Sequence, residues 1–234
     1  MHEEDACGFH KTLFVGNWDG NILHFKHTGS VTIPTFVEQT GTDNPFNGVD
    51  VGMYAAPTYV DVDSDGDMDV FVGNYDGKIL HFKNTGSVTN PTFVEQTGTD
   101  NPFNGVDVGY YADVGGYAAP TFVDVDSDGD MDAFVGNSYG NILHFKNTGS
   151  VTNPTFVEQT GTDNPFNGVD VGYYADVGGY AAPTFVDVDS DGDMDAFVGN
   201  SYGNILHFKN TGSVTNPTFV EQTGTDNLFN GVDV

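Results

Sequence analysis

The chain is expected to fold as an all-β, propeller-like array of about four four-stranded blades built on a 63-residue repeat, the first blade incomplete. Three recurring runs carry that expectation. DVDSDGDMD begins at Asp61, Asp124 and Asp187; VGN-x-x-G-x-ILHFK begins at Val15, Val72, Val135 and Val198; PTFVEQTGTDN begins at Pro34, Pro91, Pro154 and Pro217. Near-identical copies at fixed spacing mark a repeat architecture, in which each unit leans on its neighbours.

The repeat that closes the chain shows its parts in order. Thr184–Asp189 (TFVDVD) alternates and is β-branched, so it reads as the first strand; Asp195–Asn200 (DAFVGN), after the Asp-rich loop, reads as the second. A Tyr202-Gly203 turn leads into Asn204–Lys209 (NILHFK), the third. Asn216-Pro217 opens Thr218–Thr223 (TFVEQT), the fourth. No segment sustains a 3.6-residue apolar period, so helix is not expected. Four short strands per repeat is the size of one propeller blade. A blade cannot bury both faces alone, and Phe122, Phe134, Phe145 and Phe156 would fill the space between blades. A β-sandwich, a β-helix or an open row of sheets would satisfy the same pattern.

Residues 1–234 read as one repeat domain, with blade 1 over 11–53 (incomplete), blade 2 over 54–110, blade 3 over 111–173 and blade 4 over 174–234. The first interval is 57 rather than 63 residues because the insert YADVGG, at Tyr111–Gly116 and Tyr174–Gly179, is missing before Tyr54. Strands two to four occur four times, the first strand with its Asp loop only three times. Met1–His10 falls where the missing strand and loop would be. It carries Glu3, Glu4 and Asp5 but no alternating Asp series, so blade 1 is expected to lack a full metal site. Asn227–Val234 stops just before a further first strand. The two ends could pair with each other or with another molecule, because unpaired sheet edges are adhesive.

Charge removes some function classes. Against 34 acidic residues stand 6 Lys and no Arg, a net charge of -28, which repels nucleic acid and anionic membrane surfaces alike. No apolar run approaches the ~18 residues of a membrane span, so membrane insertion is not expected. The single Cys7 excludes an internal disulfide framework. Met1–His10 lacks the basic start and apolar core of a signal peptide, so no export signal is expected in this chain. With 19 Phe and 11 Tyr, the chain is too aromatic for an acidic disordered polymer.

Fifteen of the 34 acids sit in three short loops: Asp61, Asp63, Asp65, Asp67 and Asp69; Asp124, Asp126, Asp128, Asp130 and Asp132; Asp187, Asp189, Asp191, Asp193 and Asp195. Carboxylates at loop positions 1, 3, 5 and 9 converge if the chain wraps a cation, and Gly192 at position 6 permits the turn that offers the position 7 carbonyl. Hard oxygen ligands in such number suit Ca2+, with Mg2+ the alternative, and about three ions are expected. The affinity expected for such an extracellular module is roughly 10⁻⁴ to 10⁻³ M, or tighter. The loop shares its first half with an EF-hand but has Val72, Val135 and Val198 where that motif needs a bidentate Glu, and strands flank it. An Asp-rich turn can also be merely solvated. Threefold recurrence argues for metal, since the carboxylates would otherwise repel one another.

The repeat resembles the FG-GAP/VCBS family, which builds integrin α-subunit propellers and many secreted bacterial proteins. DVDSDGDMD, the following Phe134-Val135-Gly136, and Ala118-Ala119-Pro120 carry the resemblance over almost the whole chain after His10. It implies Ca2+ held by the first, third, fifth and ninth loop residues and the seventh carbonyl, and an extracellular or cell-surface location. Integrin propellers are seven-bladed, whereas this chain has about four blades, and its long Gly-Tyr linkers are not typical.

Catalysis is not expected. Paired carboxylates can hydrolyse glycosides, but here every candidate pair recurs in all three loops, whereas an active site usually occurs once. His24, His81, His144 and His207 share one slot per repeat and read as packing or surface residues; Cys7 has no His partner in its context. Trp18, in a turn where Tyr75 stands one repeat later, reads as exposed variation, with sugar stacking as the sharper option. Tyr110, Tyr111 and Tyr117, with Tyr173, Tyr174 and Tyr180, read either as a recognition surface or as packing between blades. The expected function is therefore a non-catalytic extracellular adhesion or recognition module for a protein or glycan ligand. The alternatives are a structural subunit that self-associates into a ring or filament through its terminal strands and, less favoured, a carbohydrate-active enzyme.

Overall fold

The computed structural model describes residues 12–30, 32–109, 115–172 and 179–232. Among them the chain forms a four-bladed β-propeller array of antiparallel sheets, strands running outward in sequence order. The first sheet holds β1 (Thr12–Gly16), β2 (Ile22–His27) and β3 (Phe36–Gln39); the second holds β4 (Ala56–Val60), β5 (Asp69–Gly73), β6 (Ile79–Asn84) and β7 (Phe93–Gln96). The third comprises β8 (Ala119–Val123), β9 (Asp132–Gly136), β10 (Ile142–Asn147) and β11 (Phe156–Gln159); the fourth β12 (Ala182–Val186), β13 (Asp195–Gly199), β14 (Ile205–Asn210) and β15 (Phe219–Gln222). Met1–His10, with the vacant first-strand position of blade 1, lies outside the described residues, as do Tyr110, Tyr111, Tyr173 and Tyr174.

The first strand is shifted from its expected place. β12 starts at Ala182 and ends at Val186, so Asp187 and Asp189 belong to the loop, not to a strand. The alternation of TFVDVD continues past the point where carboxylates fold back onto the backbone, which is why the pattern overran the strand. Each fourth strand also ends in an unexpected single 3-10 turn, such as Gly161–Asp163.

Blades join through three apolar seams. Between the third and fourth sheets, Val123, Phe134, Ile142 and Phe166 pack against Ala196, Val198, Phe208 and Phe219. The other two junctions repeat the arrangement. A linker phenylalanine is the hub: Phe166 stacks on Phe219 at 4.5 Å and meets Phe208 edge-on at 5.7 Å, as Phe46 does with Phe93 and Phe82. Such geometries add to the apolar burial.

Glycine sets the approach. A Cβ on Gly16, Gly73 or Gly136 would lie 1.9, 2.0 or 1.9 Å from the carbonyl oxygen of Ala55, Ala118 or Ala181 in the next blade. That contact is possible only without a side chain. Beside it, Ala55, Ala118 and Ala181 N–H groups donate to the carbonyls of Asn17, Asn74 and Asn137 at 3.0–3.1 Å.

Candidate functional site

Each Asp loop is shaped before any ligand is considered. Asp61 Oδ1 accepts the Asp65 N–H at 3.1 Å and Oδ2 accepts the Gly66 N–H at 3.2 Å, drawing the chain into a ring around the first carboxylate. Asp124 and Asp187 do the same at their loops. The tightness needs left-handed backbone twice: Ser64, Ser127 and Ser190 have φ of 54°, 54° and 63°, and Gly66, Gly129 and Gly192 have φ of 96–97°. A non-glycine residue there is uncommon. The ninth residue closes the loop from the sheet: Asp69, Asp132 and Asp195 are 1–2% exposed, and their Oδ1 atoms accept the N–H of Asn84, Asn147 and Asn210 at 2.7–2.8 Å.

The first, third and fifth carboxylates of each loop (Asp61, Asp63 and Asp65; Asp124, Asp126 and Asp128; Asp187, Asp189 and Asp191) bring one oxygen each within 4.8 Å of one another. Further buried oxygens have no hydrogen-bond partner: Asp63 Oδ1, Asp67 Oδ1 and Asp69 Oδ2; Asp126 Oδ1, Asp130 Oδ1 and Asp132 Oδ2; Asp193 Oδ1 and Asp195 Oδ2. A buried carboxylate oxygen without a donor is costly, and a hard cation is the partner that suits it. The donor set, oxygen throughout and mostly anionic, fits Ca2+. Asp61, Asp63, Asp65 and Asp69, with the carbonyl of Asp67, are the residues that would hold it, as would their counterparts from Asp124 and Asp187. The ion would supply charge neutralisation.

The electrostatics agree. Burial, then the charge of Asp128, pushes the Asp130 carboxyl up to about 6. Asp67 and Asp193 are raised for the same reasons, burial first and neighbouring carboxylates second. A lysine stands at each loop: Lys83 pairs with Asp63 and stands 3.5 Å from Asp65, Lys146 pairs with Asp126 and Asp128, and Lys209 with Asp189 and Asp191; His81 and His144 Nε2 lie 3.7 and 3.9 Å from Asp69 and Asp132 Oδ2. Hydrogen bonding to Asp126 raises the Lys146 ammonium, so it stays charged. These lysines were not singled out from sequence, although a constant offset of 20 residues from the third-position Asp was there to be read.

Beside two of the loops lies a groove between blades. One, about 630 Å³, is bordered by Asp63, Asp69, His81, Gln96, Thr99 and Pro154. Its repeat, about 550 Å³, is bordered by Asp126, His144, Gln159, Thr162 and Pro217. Pro154 and Pro217 come from the following blade, so each groove needs two blades. The histidines are packing residues on one side, stacked on Phe71 and Phe134 at 4.3 and 4.4 Å. Yet both ring nitrogens of buried His81, His144 and His207 lack hydrogen-bond partners. His24 is different: Thr12 Oγ1 and the Asp43 carbonyl contact its nitrogens at 2.6 and 2.9 Å.

The tyrosines of the linkers form a ladder across the blades. Trp18 meets Tyr54 at 4.3 Å, Tyr54 meets Tyr117 at 4.5 Å, and Tyr117 meets Tyr180 at 4.4 Å. Tyr54, Tyr117 and Tyr180 hold φ of 57°, 48° and 47°. Of the two readings open from sequence, contact between blades is the one these distances describe, with Trp18 62% exposed at one end. Among the described residues no helix is long and apolar enough to cross a membrane.

Residues 61–135 match the family described as FG-GAP-like repeat, the resemblance that the Asp loop and the following Phe-Val-Gly carry. No curated protein sequence matches the chain. Among solved structures, the chain is similar to an Agrocybe aegerita lectin reported for specific recognition of non-reducing terminal N-acetylglucosamine. Identity is 17% and the TM-score 0.48, over 94% of this chain and 50% of that one. The chain thus spans about half the length of that structure.

Proposed function

We propose that the chain is a non-catalytic, calcium-binding recognition module that works outside the cell, with a glycan as its ligand class. The observation that carries the calcium part is the set of buried carboxylate oxygens, repeated loop after loop, that no protein donor satisfies. Calcium would lock the turn between the first two strands of blades 2, 3 and 4 and offset the repulsion of five carboxylates per loop. Repetition of the Asp cluster in three loops argues against catalysis, because an active site usually occurs once.

Recognition falls to the interblade grooves. Their walls offer unpartnered imidazole nitrogens, amide and hydroxyl groups, and a proline shelf, which suits a hydroxyl-rich ligand better than an apolar one. An extracellular site fits the need for millimolar-range calcium.

Two measurements test this. Titration calorimetry is expected to detect calcium uptake at about three sites, with a lower melting temperature in chelator; no uptake and indifference to chelator would remove the calcium reading. A glycan array, followed by His144→Ala, is expected to give hits that weaken in the variant. Binding to proteins but to no glycan would replace the ligand class.

A further inference from the structure

The two ends of the array expose the two halves of a contact that the chain already makes three times. On the outward face of blade 4, Phe229 occupies the place of Phe46, Phe103 and Phe166. Those three are 2% exposed, sandwiched by the next blade, whereas Phe229 is 37% exposed and Leu228 beside it 60%. Leu228 stands where the other copies have Pro45, Pro102 and Pro165, so this face is also more apolar than its repeats. On the outward face of blade 1, Leu13 and Val15 are 46% and 40% exposed, while their counterparts Val70, Ala133 and Ala196, and Val72, Val135 and Val198, are all at 0%. Phe36, the counterpart of the Phe219 that stacks on Phe166, is 44% exposed.

We infer that these faces dock head to tail between two copies of this chain: Phe229 of one copy inserts between Phe25 and Phe36 of a second, and Val15 and Leu13 of the second close the seam. The occupant is a second copy because the required shapes are the two halves of one established interface. Blade 4 keeps Phe197, Gly199 and Phe229, and blade 1 keeps Leu13, Val15, Phe25 and Phe36; the place of Phe185, which packs on Phe134 and Phe166 in the seam, falls outside the described residues of blade 1, and among the described residues both faces are open. The contact is heterologous, one face against a different one, so it propagates until a ring closes or a filament forms. It also completes a groove. Thr32 and Pro34 of the second copy would stand beside His207 as Thr152 and Pro154 stand beside His81, giving His207 a second wall that the other described residues do not form. Self-repulsion of the -28 chain opposes docking, so calcium and salt should favour it.

The test is mass by light scattering across a wide concentration range in calcium buffer, with circular dichroism as the check on folding. The unaltered chain is expected to grow in mass with concentration. Val15→Asp and Phe229→Asp, each altering one exposed face, are expected to stay folded and monomeric when alone. Mixed, they are expected to give a 1:1 pair that grows no further, because each supplies the face the other has lost. A monomer at every concentration overturns the inference, whether a segment of the same chain or a different protein covers the faces. Association that either variant leaves unchanged, or two variants that do not pair, overturns it as well. Neither result bears on calcium uptake or glycan binding, which are measured separately.

Discussion

Gly136 and Gly199 are the same residue of the same repeat, and they live in different surroundings. A Cβ on Gly136 would strike the Ala181 carbonyl at 1.9 Å and Pro183 Cδ at 2.9 Å; a Cβ on Gly199 would find only Ala182 Cβ, 4.0 Å away. Val135 and Val15 differ in the same way, at 0% and 40% exposure. Gly136 and Gly199 sit in the same strand sequence, DAFVG, so their difference comes from the neighbouring blade; Val15 lies besides on β1, which among the described residues has one strand partner where β9 has two. A repeat of this kind is specified locally but stabilised by its junctions.

The largest expected effect breaks a junction outright. Val135→Asp places a charge in the seam beside Phe103 and should cost more than about 4 kcal/mol, enough to unfold the array. Val15→Asp, at the matching position of blade 1, should stay within about 1 kcal/mol in urea melts at low protein concentration. Equal losses would show that blade 1 is covered in solution. Next comes Gly136→Ala, expected to destabilise by about 3 kcal/mol because backbone must move, while Gly199→Ala should be neutral or stabilising by about 0.5 kcal/mol. If both are tolerated, the blades are less tightly joined than their geometry says.

A third pair sharpens the comparison from the other side. Asp132→Ala and Asp195→Ala each remove the acceptor for a strand-end N–H, of Asn147 or Asn210, inside one blade. Both should cost about 2 kcal/mol in chelator, and the two values should agree, since neither bond involves a junction. A large excess at Asp132 would mean that the Asp loop leans on its neighbour.

How much of this was legible beforehand follows the same division. What is written inside one repeat could be read: three complete four-stranded sheets, the turn at Tyr202-Gly203, and the gathering of Asp61, Asp63 and Asp65 and their counterparts in one place. What depends on one strand crossing another was harder. Lys83 reaches Asp63 from the third strand, and the offset that links them looks like any other spacing until the hairpins are drawn. What depends on the next blade could not be read at all. Nothing in the slot shared by His24 and His81 says that the first has two hydrogen-bond partners and the second none, only Asp69 Oδ2 at 3.7 Å. The alternation of TFVDVD also misled, because an Asp that turns back to cap its own loop has the same period as one on a strand face.

The smallest expected effect concerns the tyrosine ladder, where contact between blades and ligand recognition make different forecasts. Burial, and hydrogen bonds shared with the hydroxyls of Tyr54 and Tyr180, raise the Tyr117 phenol, so it stays neutral and can donate. Tyr117→Phe keeps the ring and its T-shaped contacts with Tyr54, Tyr75 and Tyr180 but removes those bonds, and should cost about 1 kcal/mol. Trp18→Ala, at the exposed end, should cost less, having one ring contact to lose and a mostly solvated face. If instead Tyr117→Phe leaves the melt unchanged and abolishes glycan binding, the left-handed backbone at Tyr54, Tyr117 and Tyr180 is strain held for a ligand, since a strained conformation that adds nothing to stability is retained for what it presents.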